Sequence, residues 1–229
     1  METTGTSILN VTGCWNLDFP RPIWDQSTWV LLRETYRDIV GLELSSIPNH
    51  HDSGFFIPYE VHLTDGKGRG VFATEKITKG QKVWTERHTA QFHEDQEEEF
   101  RSFLAAIPYE LACDILQWAY VQKKDGSYAA SVDLDDCSYL NHARDGNNVV
   151  ETWDATVAGR DIEVGEELLT DYTSFDEDGK LIWFDDLADL AWDKDDSGDD
   201  DEDEDEGDPD VSLFFAATGR SEGKGDHDK

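Results

Sequence analysis

Apolar side chains recur at helical spacing near the start of the chain. The first pattern covers residues 25–44, and its apolar positions share one face of a 3.6-residue period: Trp29, Leu32, Tyr36, Ile39 and Val40. Gly41 lies near the end of this pattern, where a glycine commonly follows the last helical turn. The pattern predicts an amphipathic helix in this tryptophan-rich N-terminal region.

Two further helical patterns flank Pro108, and a last one begins at residue 181. Residues 94–101 are acidic and polar, and an apolar stripe runs through Phe100, Phe103, Leu104 and Ile107. Proline interrupts a helix, and the pattern resumes over residues 110–121. Residues 181–192 predict the final helix.

Short apolar runs separated by glycine and by polar turn signals lie between these helices. They occupy residues 55–84, 128–134 and 149–157, with Asp125-Gly126 and Asn147-Asn148 at turns. These runs predict short strands. The predicted fold class is therefore α+β, mostly β, with a helical insert at about residues 92–125.

The length of 229 residues predicts one domain with appendages. Residues 1–55 form a lead-in, 56–175 the main domain, and 176–192 a C-terminal helix. Residues 193–210 hold thirteen acidic residues and one lysine, and residues 211–229 form a tail. Self-repulsion predicts that the acidic run is disordered.

The formal net charge is −33, and the chain is acidic outside the acidic run as well. A field of this sign repels nucleic acid and anionic membranes, and it favours basic partners such as histone-like tails or ribosomal proteins. Solubility alone is the alternative explanation. The charge therefore predicts no direct nucleic-acid partner and no membrane partner.

Three cysteines, Cys14, Cys113 and Cys137, lie far apart and form no CxxC pair. This spacing predicts neither a disulfide framework nor a zinc site, and it favours a reducing intracellular compartment, nuclear or cytoplasmic. No stretch reaches the ~18 apolar residues of a membrane span. Residues 1–11 lack the basic and apolar parts of a signal peptide.

Three motifs carry the candidate chemistry. Residues 65–73 have glycine at positions 66, 68 and 70, which lets the backbone approach a ligand closely. Residues 139–148 are a polar cluster that contains Asn141 and His142. Residues 165–172 read Gly-Glu-Glu-Leu-Leu-Thr-Asp-Tyr and end at Tyr172. Taken singly, each motif is typical of an ordinary turn or loop.

In this order and at these separations, the three motifs resemble those of the SET domain, a family of protein-lysine methyltransferases. The resemblance covers about residues 59–172, and Leu169 stands where many members have threonine. It implies small β-sheets around a threaded, pseudo-knotted site, with S-adenosylmethionine as the cofactor. Together with the acidic charge, it implies a basic protein as the substrate partner. The oligomeric state stays open.

The resemblance assigns cofactor-binding roles to five residues of the first two motifs. The backbone of Lys67, Gly68 and Arg69 would bind the methionine part of S-adenosylmethionine. Asn141 and His142 would hold its adenosine side.

Three tyrosines are candidates for the acceptor side of the site. Tyr172 would touch the cofactor and lie where methyl donor and acceptor meet. Tyr128 and Tyr139 would form walls of the lysine channel, with a core role as the alternative for Tyr139. Free lysine has a pKa of about 10.4, so the amine must react deprotonated, and desolvation in a narrow aromatic channel favours that form. This chemistry requires no metal.

Two features depart from the family pattern. The asparagine–histidine pair is usually followed by Ser-Cys-x-Pro-Asn, whereas residues 143–147 read Ala-Arg-Asp-Gly-Asn. No cysteine-rich segment follows the domain, so other side chains would close the lysine channel: Phe175, Trp183, Phe184 and Trp192. A C-terminal helix that only docks on the domain is the alternative.

Three other hypotheses compete for parts of the chain. A calcium loop would begin at Asp193, and Cys137 with His142 would form a nucleophilic pair. The rival functional class is a SET-like binding module that has lost turnover and holds basic proteins on its acidic surface. The glycine loop, Asn141 and Tyr172 together favour the enzyme.

Overall fold

The fold comes from a computed structural model that describes residues 13–14, 17, 21–48, 53–64, 66–124, 126–172 and 181–192. Several sequence predictions concern residues outside these ranges: the acidic run, the tail, the calcium loop beginning at Asp193, and Phe175. The domain boundaries given above stay predictions.

The described residues contain four α-helices and ten strands. The α-helices are α1 (Gln26–Val40), α2 (Glu97–Ala105), α3 (Tyr109–Trp118) and α4 (Ile182–Trp192). The strands are β1 (Tyr59–Thr64), β2 (Gly68–Ala73), β3 (Lys82–Trp84), β4 (Thr89–His93), β5 (Tyr120–Lys124), β6 (Ser127–Asp133), β7 (Asn141–His142), β8 (Val149–Glu151), β9 (Thr156–Ala158) and β10 (Leu169–Thr170). Short 3-10 helices span Glu86–His88 and Asp136–Tyr139. The predicted helices are confirmed, although α1 and α3 end a few residues earlier than their patterns.

The strands form four small sheets. Strand β1 pairs with β2, while β4-β6-β5 and β3-β9-β8 are three-stranded, and all these pairs are antiparallel. Strands β7 and β10 pair in parallel. The predicted α+β class of small sheets with a helical insert is confirmed.

Helix α1 belongs to the same core as the sheets. Asp25 caps its first turn by accepting a hydrogen bond from Thr28 N at 2.9 Å, which satisfies one of the free amides of the helix start. Trp29 on its inner face is fully buried and stacks at 5.6 Å from the ring of Tyr139. Asp136 accepts a hydrogen bond from Trp29 Nε1 at 2.7 Å. These contacts tie the lead-in to the segment that precedes Asn141.

Helix α4 packs on the helical insert. The ring centroids of Trp183 and Phe184 lie 5.4 and 5.8 Å from that of Phe100 on α2. Trp183 Nε1 also donates a hydrogen bond to the carbonyl oxygen of Glu94 at 3.2 Å. The C-terminal helix therefore docks on α2 through its aromatic side chains.

A disulfide joins Cys14 to Cys113 across 99 residues of sequence, and Cys137 is free and buried. The prediction that the cysteines form no disulfide is wrong. The separation of Cys14 and Cys113 along the sequence did not indicate whether they pair, because α3 brings Cys113 next to the lead-in. The spacing of the cysteines therefore no longer supports a reducing compartment.

Among the helices that the structure describes, none is long and apolar enough to span a membrane.

Candidate active site

The third motif lies between the other two. Leu168 N donates to Val71 O at 2.7 Å, which attaches residues 165–170 to β2. On the other side, Leu169 and Thr170 of β10 pair with Asn141 and His142 of β7. The three segments that are separated in the sequence therefore meet at one place.

Asn141 joins the three motifs through its side chain. Its Nδ2 donates to Arg69 O at 2.8 Å and to Glu167 Oε1 at 2.7 Å, and the residue is only 6% exposed. Lys67 Nζ lies 3.8 Å from the other carboxylate oxygen of Glu167. An asparagine suits this position because one amide group can bridge a backbone carbonyl and a carboxylate.

Gly70 is required by this close packing. A Cβ at residue 70 would lie 2.6 Å from Glu167 Oε1, 2.8 Å from Thr64 Cγ2 and 3.2 Å from Asn141 Nδ2. We expect Gly70→Ala to lower the free energy of unfolding by about 1–3 kcal/mol, measured by urea denaturation, because side chains must move to make room. In a Glu167→Ala background the same substitution should cost less. An equal cost in both backgrounds would contradict the steric explanation.

A cavity of about 200 Å³ opens where the motifs meet. Its lining includes five of the predicted site residues: Lys67, Gly68, Arg69, Asn141 and Tyr172. Tyr139 lines it as well, while its ring also packs on Trp29 and Trp118 in the core. His142 and Tyr128 do not line the cavity.

The guanidinium group of Arg69 is held by protein groups. It forms hydrogen bonds of 2.9 and 3.2 Å with the two carboxylate oxygens of the fully buried Asp114. The same group lies over the rings of Trp118 and Tyr139, 4.8 and 4.9 Å from their centroids. The side chain therefore fixes the glycine loop from behind, and the backbone remains the part of Arg69 that could bind a cofactor.

His142 positions Tyr172. Its Nδ1 accepts a hydrogen bond from Tyr172 N at 3.0 Å, and the two rings lie 5.2 Å apart. The hydroxyl of Tyr172 donates to the carbonyl oxygen of Leu140. Burial raises the pKa of Tyr172, so the hydroxyl stays protonated at neutral pH. The structure thus joins His142 to the backbone of Tyr172, and its cofactor-binding role stays a prediction.

Tyr120 lines the cavity, whereas Tyr128 does not. Tyr120 of β5 pairs with Ser131 of β6, and side chains alternate between the two faces of a strand. Tyr128, three residues before Ser131, therefore lies on the opposite face, where Lys123 Nζ is 5.6 Å from its ring. Strand parity could have identified Tyr120 from the sequence, had the pairing of β5 with β6 been known.

Three carboxylates that the motifs do not include also line the cavity: Glu86, Asp133 and Glu151. Desolvation, opposed by a hydrogen bond from Thr89, raises the pKa of Asp133 to about 7. Glu151 is exposed over much of its surface, yet local desolvation and the charge of Glu86 raise the pKa of its carboxyl group. The cavity therefore combines cations near the glycine loop with carboxylates elsewhere on its wall.

Two of the competing sequence hypotheses find no support here. Burial raises the pKa of Cys137 well above the usual thiol value, which is the opposite of the activation that a nucleophile needs. Trp183 and Phe184 pack on α2 and do not line the cavity, which favours the alternative of a C-terminal helix that docks on the domain. Within the described ranges, no group of three or more His, Cys, Asp or Glu residues could hold a metal ion.

Comparisons with known proteins agree with the geometry. Residues 68–173 match the family model of the SET domain. The N-lysine methyltransferase KMT5A-A of Danio rerio is 33% identical over 126 residues, which are 49% of this chain and 34% of that protein. This chain's match thus spans about a third of the length of that relative.

Solved structures with a similar chain trace include CpSET8 from Cryptosporidium, which is 21% identical over 68% of this chain and 70% of that one, with a TM-score of 0.39. The polycomb repressive complex 2 of Chaetomium thermophilum is 20% identical over 51% of this chain and 15% of that one, with a TM-score of 0.36. The family model covers Gly68, Arg69, Asn141 and Tyr172, which all line the cavity. Residues 68–173 of this chain are thus the part that matches the SET domain.

Proposed function

We propose that the protein is an S-adenosylmethionine-dependent protein-lysine N-methyltransferase. The observation that carries the proposal is the single cavity at which Gly68, Asn141 and Tyr172 meet. The matched relative is a lysine methyltransferase, which supports lysine as the acceptor.

The cavity suits the chemical groups of S-adenosylmethionine. Its wall carries the cationic side chains of Lys67 and Arg21, which attract a carboxylate, and aromatic rings that can stack on a purine or face a sulfonium. A Cβ at Gly68 would meet nothing within 4 Å, so a ligand can approach the backbone there. Backbone groups of residues 67–69 and the Asn141 region would hold the cofactor, which supplies a methyl group on a positively charged sulfur.

Tyr172 orients the acceptor amine in this proposal. Because its hydroxyl proton is donated to Leu140 O, the phenolic oxygen can accept an N–H from the amine. That hydrogen bond fixes the direction of the nitrogen lone pair, and orientation of this kind contributes several kcal/mol to a displacement. The raised pKa of Tyr172 makes it an orienting group and not a base.

The substrate we propose is a lysine-rich basic protein. The cavity wall carries Glu86, Asp133 and Glu151, and the chain has a net charge of −33. Both attract a cationic partner, and they disfavour nucleic acid.

We expect the wild-type protein to bind S-adenosylmethionine in calorimetry and to methylate purified histones, used as a basic protein probe. Tyr172→Phe should lower methyl transfer by about 100-fold, since it removes an interaction made to the reacting amine. Cofactor affinity should change by less than about threefold. Tyr109→Phe, on an exposed ring outside the cavity lining, is the matched control and should retain full activity.

One result would count against the enzyme, and another would count against the role of Tyr172. Absence of cofactor binding at millimolar S-adenosylmethionine, with histone binding retained, would favour the acidic binding module. Equal transfer by wild type and Tyr172→Phe would reject the orienting role of the tyrosine.

A further inference from the structure

Three aspartates lie close together in the segment before Asn141, and they face different surroundings. Asp135 accepts hydrogen bonds from Trp84 Nε1 at 3.1 Å and from Cys137 N at 2.9 Å. Asp136 accepts hydrogen bonds from aromatic side chains of the lead-in and of β1, including Trp29 Nε1 at 2.7 Å. Both carboxylates therefore hold the fold together. Asp133 is the member of the three that lines the cavity.

Strand geometry places Asp133 on the same side of its sheet as Tyr120. Asp133 and Ser131 lie on the same face of β6, and Ser131 pairs with Tyr120 of β5. Both Tyr120 and Asp133 line the cavity together with Tyr172. The negative charge of Asp133 also contributes to the raised pKa of the hydroxyl groups of Tyr120 and Tyr172, after desolvation by burial.

The surroundings of Asp133 hold it near its point of titration. Thr89 Oγ1 of β4 donates to Asp133 Oδ1 at 2.5 Å, which stabilises the ionised form. Desolvation and three nearby carboxylates act in the opposite direction, and the resulting pKa is about 7. The titratable groups that face Asp133 are Glu86, Tyr120, Asp135, Cys137, Glu151 and Tyr172.

We propose that Asp133 is the proton acceptor for the substrate amine. The N–H bond of the lysine ammonium breaks, its electron pair stays on nitrogen, and the proton forms an O–H bond with the carboxylate of Asp133. The ammonium and carboxylate become a neutral amine and a neutral carboxylic acid, and the amine lone pair is then available for the methyl group. This role rests on the proposed function, since it concerns the acceptor in that reaction.

Desolvation makes this transfer accessible. Free lysine has a pKa of about 10.4 and Asp133 has a pKa of about 7, so transfer from a fully solvated lysine to Asp133 would be unfavourable by more than about 1000-fold. Inside the cavity an ion pair becomes two neutral groups, and a poorly solvated site favours neutral forms of both. Tyr172 cannot replace Asp133 in this role, because its hydroxyl remains protonated.

The pH dependence of methyl transfer tests the assignment. We expect kcat/KM of the wild type on histones to rise with pH through an acidic limb near pH 7, because Asp133 must be ionised to accept the proton. Asp133→Asn should remove that limb and lower transfer by at least about 100-fold, while calorimetric affinity for S-adenosylmethionine stays within about threefold. Glu163→Gln removes the same charge at an exposed position outside the cavity lining, and it should leave the profile unchanged.

Two neighbouring substitutions give signatures that a structural role would not produce. Thr89→Val removes the hydrogen bond to the ionised carboxylate, so the acidic limb should move to higher pH. Glu151→Gln removes a nearby negative charge, so the limb should move to lower pH. Carboxyl titration by carbon-13 NMR, which needs no substrate, should show the Asp133 signal moving in the same two directions.

The outcomes separate this inference from the proposed function. If the kcat/KM profile of Asp133→Asn keeps its acidic limb at the wild-type pH, the assignment is overturned. It is also overturned if the limb of Thr89→Val or Glu151→Gln does not shift together with the NMR titration of Asp133. If Asp133→Asn does not fold, Thr89→Val and Glu151→Gln decide alone. If the wild-type protein binds no S-adenosylmethionine, both the proposed function and this role of Asp133 are overturned. If the wild type is active but the acidic limb does not change in the variants, only the role of Asp133 is overturned.

Discussion

Asp114→Asn is expected to lower the free energy of unfolding by about 3–5 kcal/mol, because removing one partner of a buried ion pair leaves an uncompensated charge. Asp114 is fully buried and holds two arginines, with Arg21 NH1 and Arg69 NH1 each 2.9 Å from its carboxylate. Trp24 Nε1 donates to the same carboxylate at 2.7 Å. Asparagine has nearly the same shape, so the loss would come from charge and from hydrogen bonds.

Urea denaturation followed by tryptophan fluorescence measures this loss. Glu163→Gln breaks an exposed ion pair with Lys76 and should leave the denaturation midpoint unchanged. Because Arg69 belongs to the glycine loop, Asp114→Asn should also weaken S-adenosylmethionine binding in whatever fraction remains folded. A midpoint equal to that of the wild type would mean that the two arginines find other partners or water.

Local sequence patterns were sufficient for the helices and for the three motifs. Trp29, Leu32 and Tyr36 are fully buried on one face of α1, as their spacing predicted. Gly68, Asn141 and Tyr172 line one cavity because β10 pairs with β7, while Leu168, the residue before β10, is hydrogen-bonded to Val71 of β2. The order of the three motifs therefore indicated that they meet at one site, although the pairing of β10 with β7 could not be predicted from the sequence.

The partners of side chains could not be predicted in the same way. Arg69 follows Gly68 in the glycine loop, but its guanidinium group is bound by Asp114, which lies 45 residues later on α3. Tyr120 fell within the helix predicted over residues 110–121, whereas it begins β5, and nothing in the sequence gave the register of β5 against β6. One residue of register reverses the face of every side chain on a strand.

The carboxylates that line the cavity could not be predicted from the sequence for the same reason. Asp133 and Asp135 lie two residues apart, yet the first lines the cavity and the second binds Trp84 and His88. The strand ends at Asp133, so alternation between faces no longer applies beyond it. The surroundings of each aspartate therefore depend on where β6 ends, which a hydrophobic pattern gives only within a few residues.

Reduction of the Cys14–Cys113 disulfide should lower the free energy of unfolding by about 4–5 kcal/mol, the loop-entropy value for a closed loop of about 100 residues. The bond closes 99 residues of chain and attaches the lead-in next to Asp114. Urea denaturation with and without reductant measures the effect. A Cys14→Ala, Cys113→Ala double variant is the matched control, since reductant should not change its stability further.

Thiol titration of the denatured, unreduced protein decides whether the bond forms. One reactive thiol, from Cys137, is expected for each chain, and three would show that the bond is absent. The bond also has a consequence for the site, because Cys113 directly precedes the carboxylate that holds Arg21 and Arg69. If the lead-in supports the glycine loop through Asp114, reduction should weaken S-adenosylmethionine binding at urea concentrations where the protein is still folded. Unchanged affinity there would confine the disulfide to a role in stability.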